Sequence, residues 1–190
     1  VESARKALKE AALLHSAFWN DKELELQEWL YIPTGAQGFY TTELVMSSWK
    51  HFSLVYGKKL DPEVFRACEK FIAHHESWNS PRTKNRCFSH NDFRVDNMLF
   101  RDDEIYVVDW QTSNYLGVGM DSAYFLGSAL SRDARKSLEL ELLDEYHKVL
   151  LENGVKNYTF DELLMDYRHY SLAAAVVAIA ATVIVKQTER

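Results

Sequence analysis

The sequence predicts an α+β protein, mainly helical, with one small β-hairpin at the centre of its chemistry. Three observations lead there. Apolar residues recur at helical spacing over residues 3–19, 44–56, 61–78 and 121–185. Between about residues 79 and 120 the period shortens to that of strands and turns. The polar residues with chemical reach gather in that same region, from Phe88 to Tyr124. The expectation is a single domain over residues 1–190, with helices in 1–80, a catalytic loop and hairpin in 81–120 and helices in 121–190; 47% hydrophobic residues are enough to fill its core.

Each element has a local reason. Ala4, Leu8, Ala11, Ala12, His15, Phe18 and Trp19 line one face of a first helix, which Asn20 and Asp21 close. A short helix is expected near 24–30, and the Pro and two Gly of 32–38 mark a loop. Leu44, Val45, Ser48, Trp49, Phe52 and Val55 outline a helix ending near Gly57, and Asp61-Pro62-Glu63 starts another, carried through Trp78, with a cap, a proline at the first position and an acidic first turn. Trp19, Trp29, Trp49 and Trp78 occupy core-type positions. Met98–Phe100 and Ile105–Val108 flank the polar residues 101–104, the pattern of a hairpin with a four-residue loop. Helices follow at 121–130 and 134–152, the latter stopped by Asn153-Gly154, and a last one opens on the capping box Thr159-Phe-Asp-Glu162.

Composition narrows the partners. The net charge is −6 and no basic run interrupts the chain, so neither nucleic acid nor an anionic membrane is drawn to it by charge. The most apolar run, 172–185, falls short of the roughly 20 residues that cross a bilayer and reads as a buried helix. Cys68 and Cys87 have no metal-like spacing and sit among core-type residues, which fits reduced thiols in a cytoplasmic protein. His74 and His75 are adjacent on a helix and lack the i, i+4 spacing of a zinc helix.

The sequence Phe88-Ser-His90-Asn-Asp92-Phe-Arg94-Val-Asp-Asn97 has the Asp-x4-Asn spacing of a phosphoryl-transfer catalytic loop, with a His two residues before the Asp. Ile105-Tyr-Val-Val-Asp109 adds a carboxylate at the end of a hydrophobic strand. The hairpin brings Asn97 and Asp109 side by side as hard oxygen donors for magnesium, which takes its other ligands from water and phosphates. Asp92 is then free to accept a proton from an attacking hydroxyl. Arg94 offers a planar fork to a phosphate or serves as a structural ion-pair partner. His90 is read as bracing the loop rather than as a base.

These residues resemble the catalytic segment of the aminoglycoside phosphotransferase and choline kinase superfamily, and more narrowly its bacterial phosphotransferase or ecdysteroid kinase-like branch. His90-Asn-Asp92-Phe-Arg94-Val-Asp-Asn97 resembles that branch's His-Gly-Asp-Phe-Arg followed by Asp-Asn, with Asn91 in place of the Gly. Val108-Asp109-Trp-Gln111 resembles its metal-binding strand, and Asp121-Ser-Ala-Tyr124-Phe-Leu-Gly127 the helix after it. The resemblance implies the protein-kinase-like fold, a transferase that phosphorylates a small-molecule hydroxyl, and ATP or GTP with Mg2+ as cofactors. It assigns Asp92 as catalytic base, Asn97 and Asp109 as magnesium ligands and Asp121 as the acid bracing the loop. Trp-Gln after Asp109, where protein kinases have Phe-Gly, points to small-molecule acceptors.

Residues 1–87 contain neither a glycine-rich phosphate loop, since Gly35 and Gly38 are too few, nor an apolar strand carrying a Lys. The resemblance therefore implies the C-terminal lobe alone, a poor catalyst when isolated, whose partner is the missing N-terminal nucleotide lobe of the same chain. Two alternatives stay open: a non-catalytic kinase-like helical binding module, and a metal-dependent phosphohydrolase using the same acids.

Overall fold

The computed structural model describes residues 1–30, 38–80, 84–102 and 104–185. In chain order these form α1 (Glu2–Ala17), α2 (Thr42–Tyr56), α3 (Pro62–Ala73), α4 (His75–Trp78), β1 (Arg86–Ser89), β2 (Met98–Arg101), β3 (Glu104–Val107), β4 (Asn114–Gly117), α5 (Met120–Ala129), α6 (Arg132–Glu152), α7 (Phe160–Tyr170) and α8 (Ala173–Ile184). Helices predominate and the strands form two antiparallel pairs, so the protein is α+β and mainly helical. The chain divides into two compact units, one of Val1–Tyr31 with Arg82–Ser171, the other of Ile32–Pro81 with Leu172–Arg190.

In the first unit α1 packs on α6 and α5 on α7. The helical stripe of α1 is buried at Ala4, Leu8, Ala11, Ala12 and His15, facing a core that includes Leu142, Leu143, Tyr146 and Leu150 of α6. Each such leucine contributes about 1.5–3 kcal/mol by leaving water. Helix starts follow local chemistry: Ser131 caps α6 through Ala134 N–H, and at α7 the Thr159 side chain accepts from Glu162 N–H while the Glu162 carboxylate accepts from Thr159 N–H. The acidic side of that box shows in Glu162, whose pKa is lowered mainly by the Thr159 backbone bond. Segment 18–30 does not make the expected helix beyond one 3₁₀ turn at Leu24–Leu26. With no helical face to bury it, Trp29 is 65% exposed, against the core position expected from sequence, and its indole donates to Gln27 Oε1.

The strands nest. β1 pairs with β4, Phe88 opposite Tyr115, and between them the chain makes the β2–β3 hairpin, Met98 opposite Val107. Arg101 pairs with Glu104, so two residues connect β2 and β3 rather than the expected four; Asp102 takes φ 51°, a left-handed conformation that Asp tolerates. Consequently the two crossings out of and back into the β1–β4 pair, residues 90–97 and 108–113, meet at one place. Gly119 links β4 to α5 with φ 103°, and a Cβ there would lie 2.9 Å from the Asp166 carbonyl carbon of α7. Both the backbone angle and the close approach require glycine.

In the second unit α2 packs on α8 around Val45, Phe71, Ile72, Val176 and Ile179, with Tyr40, Trp49, Phe52 and Trp78 against that cluster. Asp61 caps α3 by accepting from Glu63 N–H, and Pro62 opens the helix as its spacing predicts. The helix expected through Trp78 breaks at His74, where the backbone leaves helical torsions, and resumes as α4. Val55, one of the residues that outline α2, is 46% exposed. Cys68 and Cys87 are free thiols, and burial pushes both of their pKa values up. Residues Phe160–Ile184 together are long and apolar enough to cross a membrane by length and composition alone. The ladder is interrupted between α7 and α8, however, and α7 buries Asp166 and bears charges at both ends. The glycine-containing loop expected at 32–38 lies outside the described residues except for Gly38.

Candidate active site

The first crossing begins where β1 ends. His90 is fully buried, its Nε2 2.9 Å from the Val108 carbonyl and its Nδ1 accepting at 3.3 Å from Asp92 N–H. An imidazole placed between a carbonyl and an N–H donor carries its proton on Nε2, so His90 links the loop to the end of β3. Thr112 Oγ1 donates to the His90 carbonyl at 3.1 Å, joining the loop to the second crossing as well. Asn91 takes φ 68°. Asn enters the left-handed region more readily than most residues, which explains how it stands where the resembled pattern has Gly.

Asp92 is 29% exposed at its side chain, and two neighbours hold it. Asn97 Nδ2 donates to the Asp92 carbonyl oxygen and to its Oδ2, each at 2.9 Å. Since both of these are acceptors, the amide orientation is fixed and Asn97 Oδ1 is turned away from Asp92. The Arg94 guanidinium stands 3.3 Å from Asp92 Oδ1 and 3.6 Å from Asp96 Oδ2. Arg94 Nε forms no aligned hydrogen bond, so its contact with Asp92 is one of charge. Arg94 is folded between two carboxylates here rather than extended toward solvent.

The hairpin refines the expected neighbourhood of Asn97 and Asp109. Val108 N–H donates to the Asn97 carbonyl at 2.9 Å, so the residue across from Asn97 is Val108, and Asp109 comes one residue later. There the chain turns off the strand into a 3₁₀ turn at Trp110–Thr112, and Asp109 itself takes φ 64°, ψ 62°. Its carboxylate is exposed and has a long contact, 3.5 Å, from Gln111 Nε2. Asp enters the left-handed region more readily than most residues, and the surrounding structure supports the corner. Trp110 gives that support: its indole donates to the Val107 carbonyl at 3.0 Å and its ring stacks on Phe88, 6.1 Å between centroids at 17°. Asn97 Oδ1 and the Asp109 carboxylate are hard oxygens of the type that suit magnesium. Among the described residues no three His, Cys, Asp or Glu side chains group as a metal site of their own.

Asp121 stands in the first turn of α5, wholly buried. Its Oδ2 accepts from His90 N–H and its Oδ1 from Asn91 N–H, both at 2.8 Å, while His15 Nε2 lies 3.0 Å from Oδ2. On the other side of that ring, His15 Nδ1 meets the Tyr146 hydroxyl at 2.6 Å. Sequence reading placed His15 on a core-facing stripe and found Asp121, but not the link between them. The available signal was a lone polar residue among alanines and leucines, which buries only with a partner.

Comparison with protein families supplies the remaining observation. A model described as the ecdysteroid kinase-like family matches residues 12–158. The chain belongs to the ecdysteroid kinase-like family. That family is part of the protein-kinase-like phosphotransferase superfamily, and the chain is a kinase-like protein. No curated protein matches it. The matched span holds the whole resembling segment described above, from His90 to Gly127, and also His15 and Tyr146.

Proposed function

We propose that the chain supplies the catalytic and acceptor-binding C-terminal lobe of a kinase that transfers the γ-phosphoryl group of ATP or GTP to a hydroxyl of a small molecule. The observation that carries this reading is the clamp between Asp92 and Asn97, with the Asn97 amide oxygen directed away from Asp92 and an exposed carboxylate at Asp109, at the corner where the chain leaves β3. A nucleotide-binding lobe of the same protein completes the site.

In this reading Asp92 takes the proton of the acceptor hydroxyl as its oxygen bonds to the γ-phosphorus and the bridging bond to the β-phosphate breaks. The ADP or GDP leaves with that electron pair. Asn97 Oδ1 and Asp109 would hold Mg2+, which supplies neutralisation of the phosphate charge. Arg94 keeps Asp92 oriented and, 43% exposed, has room to turn a guanidinium edge toward a phosphate. His90 and Asp121 hold the loop so that Asp92 meets its substrate with little reorganisation.

The test is ATP consumption by the full-length protein across a panel of hydroxylated small molecules, run beside Asp92→Asn. Loss of a positioned general base lowers turnover by about 10²–10⁴-fold. Equal turnover by wild type and Asp92→Asn on a phosphorylated acceptor would exclude Asp92 as the base.

A further inference from the structure

We propose that His15 and Tyr146 are positioning residues for the catalytic loop: they hold the Asp121 carboxylate in the orientation that fixes the His90 and Asn91 amides, and through them Asp92.

The three side chains come from three helices, Tyr146 from α6, His15 from α1 and Asp121 from α5, and none is more than 1% exposed. A carboxylate shut away from water must find its hydrogen bonds in the protein. Asp121 finds three donors: two backbone N–H groups of the loop and His15 Nε2. If His15 presented a bare Nε2, its lone pair would face a carboxylate oxygen at 3.0 Å, so the proton is on Nε2. In the neutral ring Nδ1 is then an acceptor, to which Tyr146 donates. Burial pushes the Tyr146 pKa well up, so the hydroxyl retains the proton this requires. Tyr146 O–H thus donates to His15 and His15 N–H to Asp121, while the two loop N–H groups donate to Asp121 from the other side, so the bonds converge on the carboxylate and fix its rotamer. The two rings also meet edge to face, 5.9 Å between centroids at 73°, which keeps the imidazole from rotating out of line.

Several features make this more than a core hydrogen bond. The network ends on the two residues directly before Asp92, and Asp92 N–H itself binds His90 Nδ1. Asn91, in between, has a left-handed backbone, and its N–H bond to Asp121 helps to hold it there. Neither His15 nor Tyr146 touches Asp92, so any effect they have on it passes through Asp121 and the loop.

The experiment is amide hydrogen exchange by NMR on the full chain, comparing wild type with His15→Gln and Tyr146→Phe. The second variant removes one oxygen and retains the ring, which keeps the test valid should His15→Gln fold poorly. The amide of Leu8 in α1 reports general loosening of the α1–α6 packing. Relative to Leu8, the His90 and Asn91 amides are expected to exchange about tenfold faster in both variants, the scale of one weakened hydrogen bond to a charged group. Exchange at His90 and Asn91 that only parallels Leu8 would overturn the proposal. The catalytic consequence rests on the kinase reading, and predicts a fall in kcat with KM for ATP unchanged. The exchange measurement needs no turnover, so absence of ATP-dependent phosphorylation on every acceptor would remove the kinase reading, an unaffected Asp92→Asn enzyme would remove Asp92 as its base, and the positioning result would stand or fall separately.

Discussion

Two buried histidines, one in each unit, show how the same sequence signal leads to different outcomes. His15 and His75 both lie on helices, both occupy positions on an apolar stripe, and both are fully buried. His15 has partners at both ring nitrogens, and its chain of hydrogen bonds reaches the loop that carries Asp92. His75 has Thr42 Oγ1 at 3.0 Å on Nδ1, while its Nε2 has no hydrogen-bond partner among the described residues. Asn79, one turn along, also buries an oxygen without a partner among the described residues. His15 uses both ring nitrogens to hold the loop that carries Asp92. His75 joins α4 to the start of α2 through one ring nitrogen, and among the described residues the other is unsatisfied.

The largest expected effect comes from removing the acceptor on which the first network converges. Asp121→Ala strips a partner from His15 and from two loop amides at once and is expected to lower the unfolding free energy by about 3 kcal/mol, measured by chemical denaturation. A loss below about 1 kcal/mol would mean that these donors find other acceptors. A smaller effect should appear at His75, where burial lowers the pKa below the ordinary 6.5. Above pH 6.5 the ring is neutral in both folded and unfolded chains and adds no pH dependence. As pH falls below that value the unfolded chain takes up the proton first, so stability declines until the folded ring also protonates. Unfolding midpoints between about pH 7.5 and about pH 5.5 should therefore fall in wild type, and fall less in His75→Gln. Equal slopes would contradict a neutral buried His75.

What could be read from the sequence was what depends on neighbours along the chain. The Asp61 cap, the Thr159–Glu162 box and the stop at Asn153-Gly154 need only local bonds, and all are present, with Gly154 at φ 99°. The candidate site was legible for the same reason: Asp92 and Asn97 lie five residues apart and close one turn, and Asp109 follows the strand that pairs with it. The rest depended on distant partners. Nothing local distinguishes His15 from a satisfied core histidine, because Asp121 and Tyr146 are 106 and 131 residues away. β4 is a strand because β1 lies beside it, and Trp29 is exposed because segment 18–30 makes a single 3₁₀ turn in place of a helix. The hairpin turn is shorter than expected because Arg101 and Glu104, polar enough to read as loop, pair across the strands.

The contrast between residues that hold the loop and residues that act from it can be tested in one paired measurement: ATP turnover and chemical unfolding of Asp92→Asn beside Asp121→Ala. Asn at 92 keeps an acceptor oxygen for Asn97, so its stability should stay within about 0.5–1 kcal/mol of wild type while turnover falls by at least about 100-fold. Asp121→Ala should lose stability first and foremost. An Asp92→Asn protein that keeps its turnover, or that unfolds as easily as Asp121→Ala, would contradict the account.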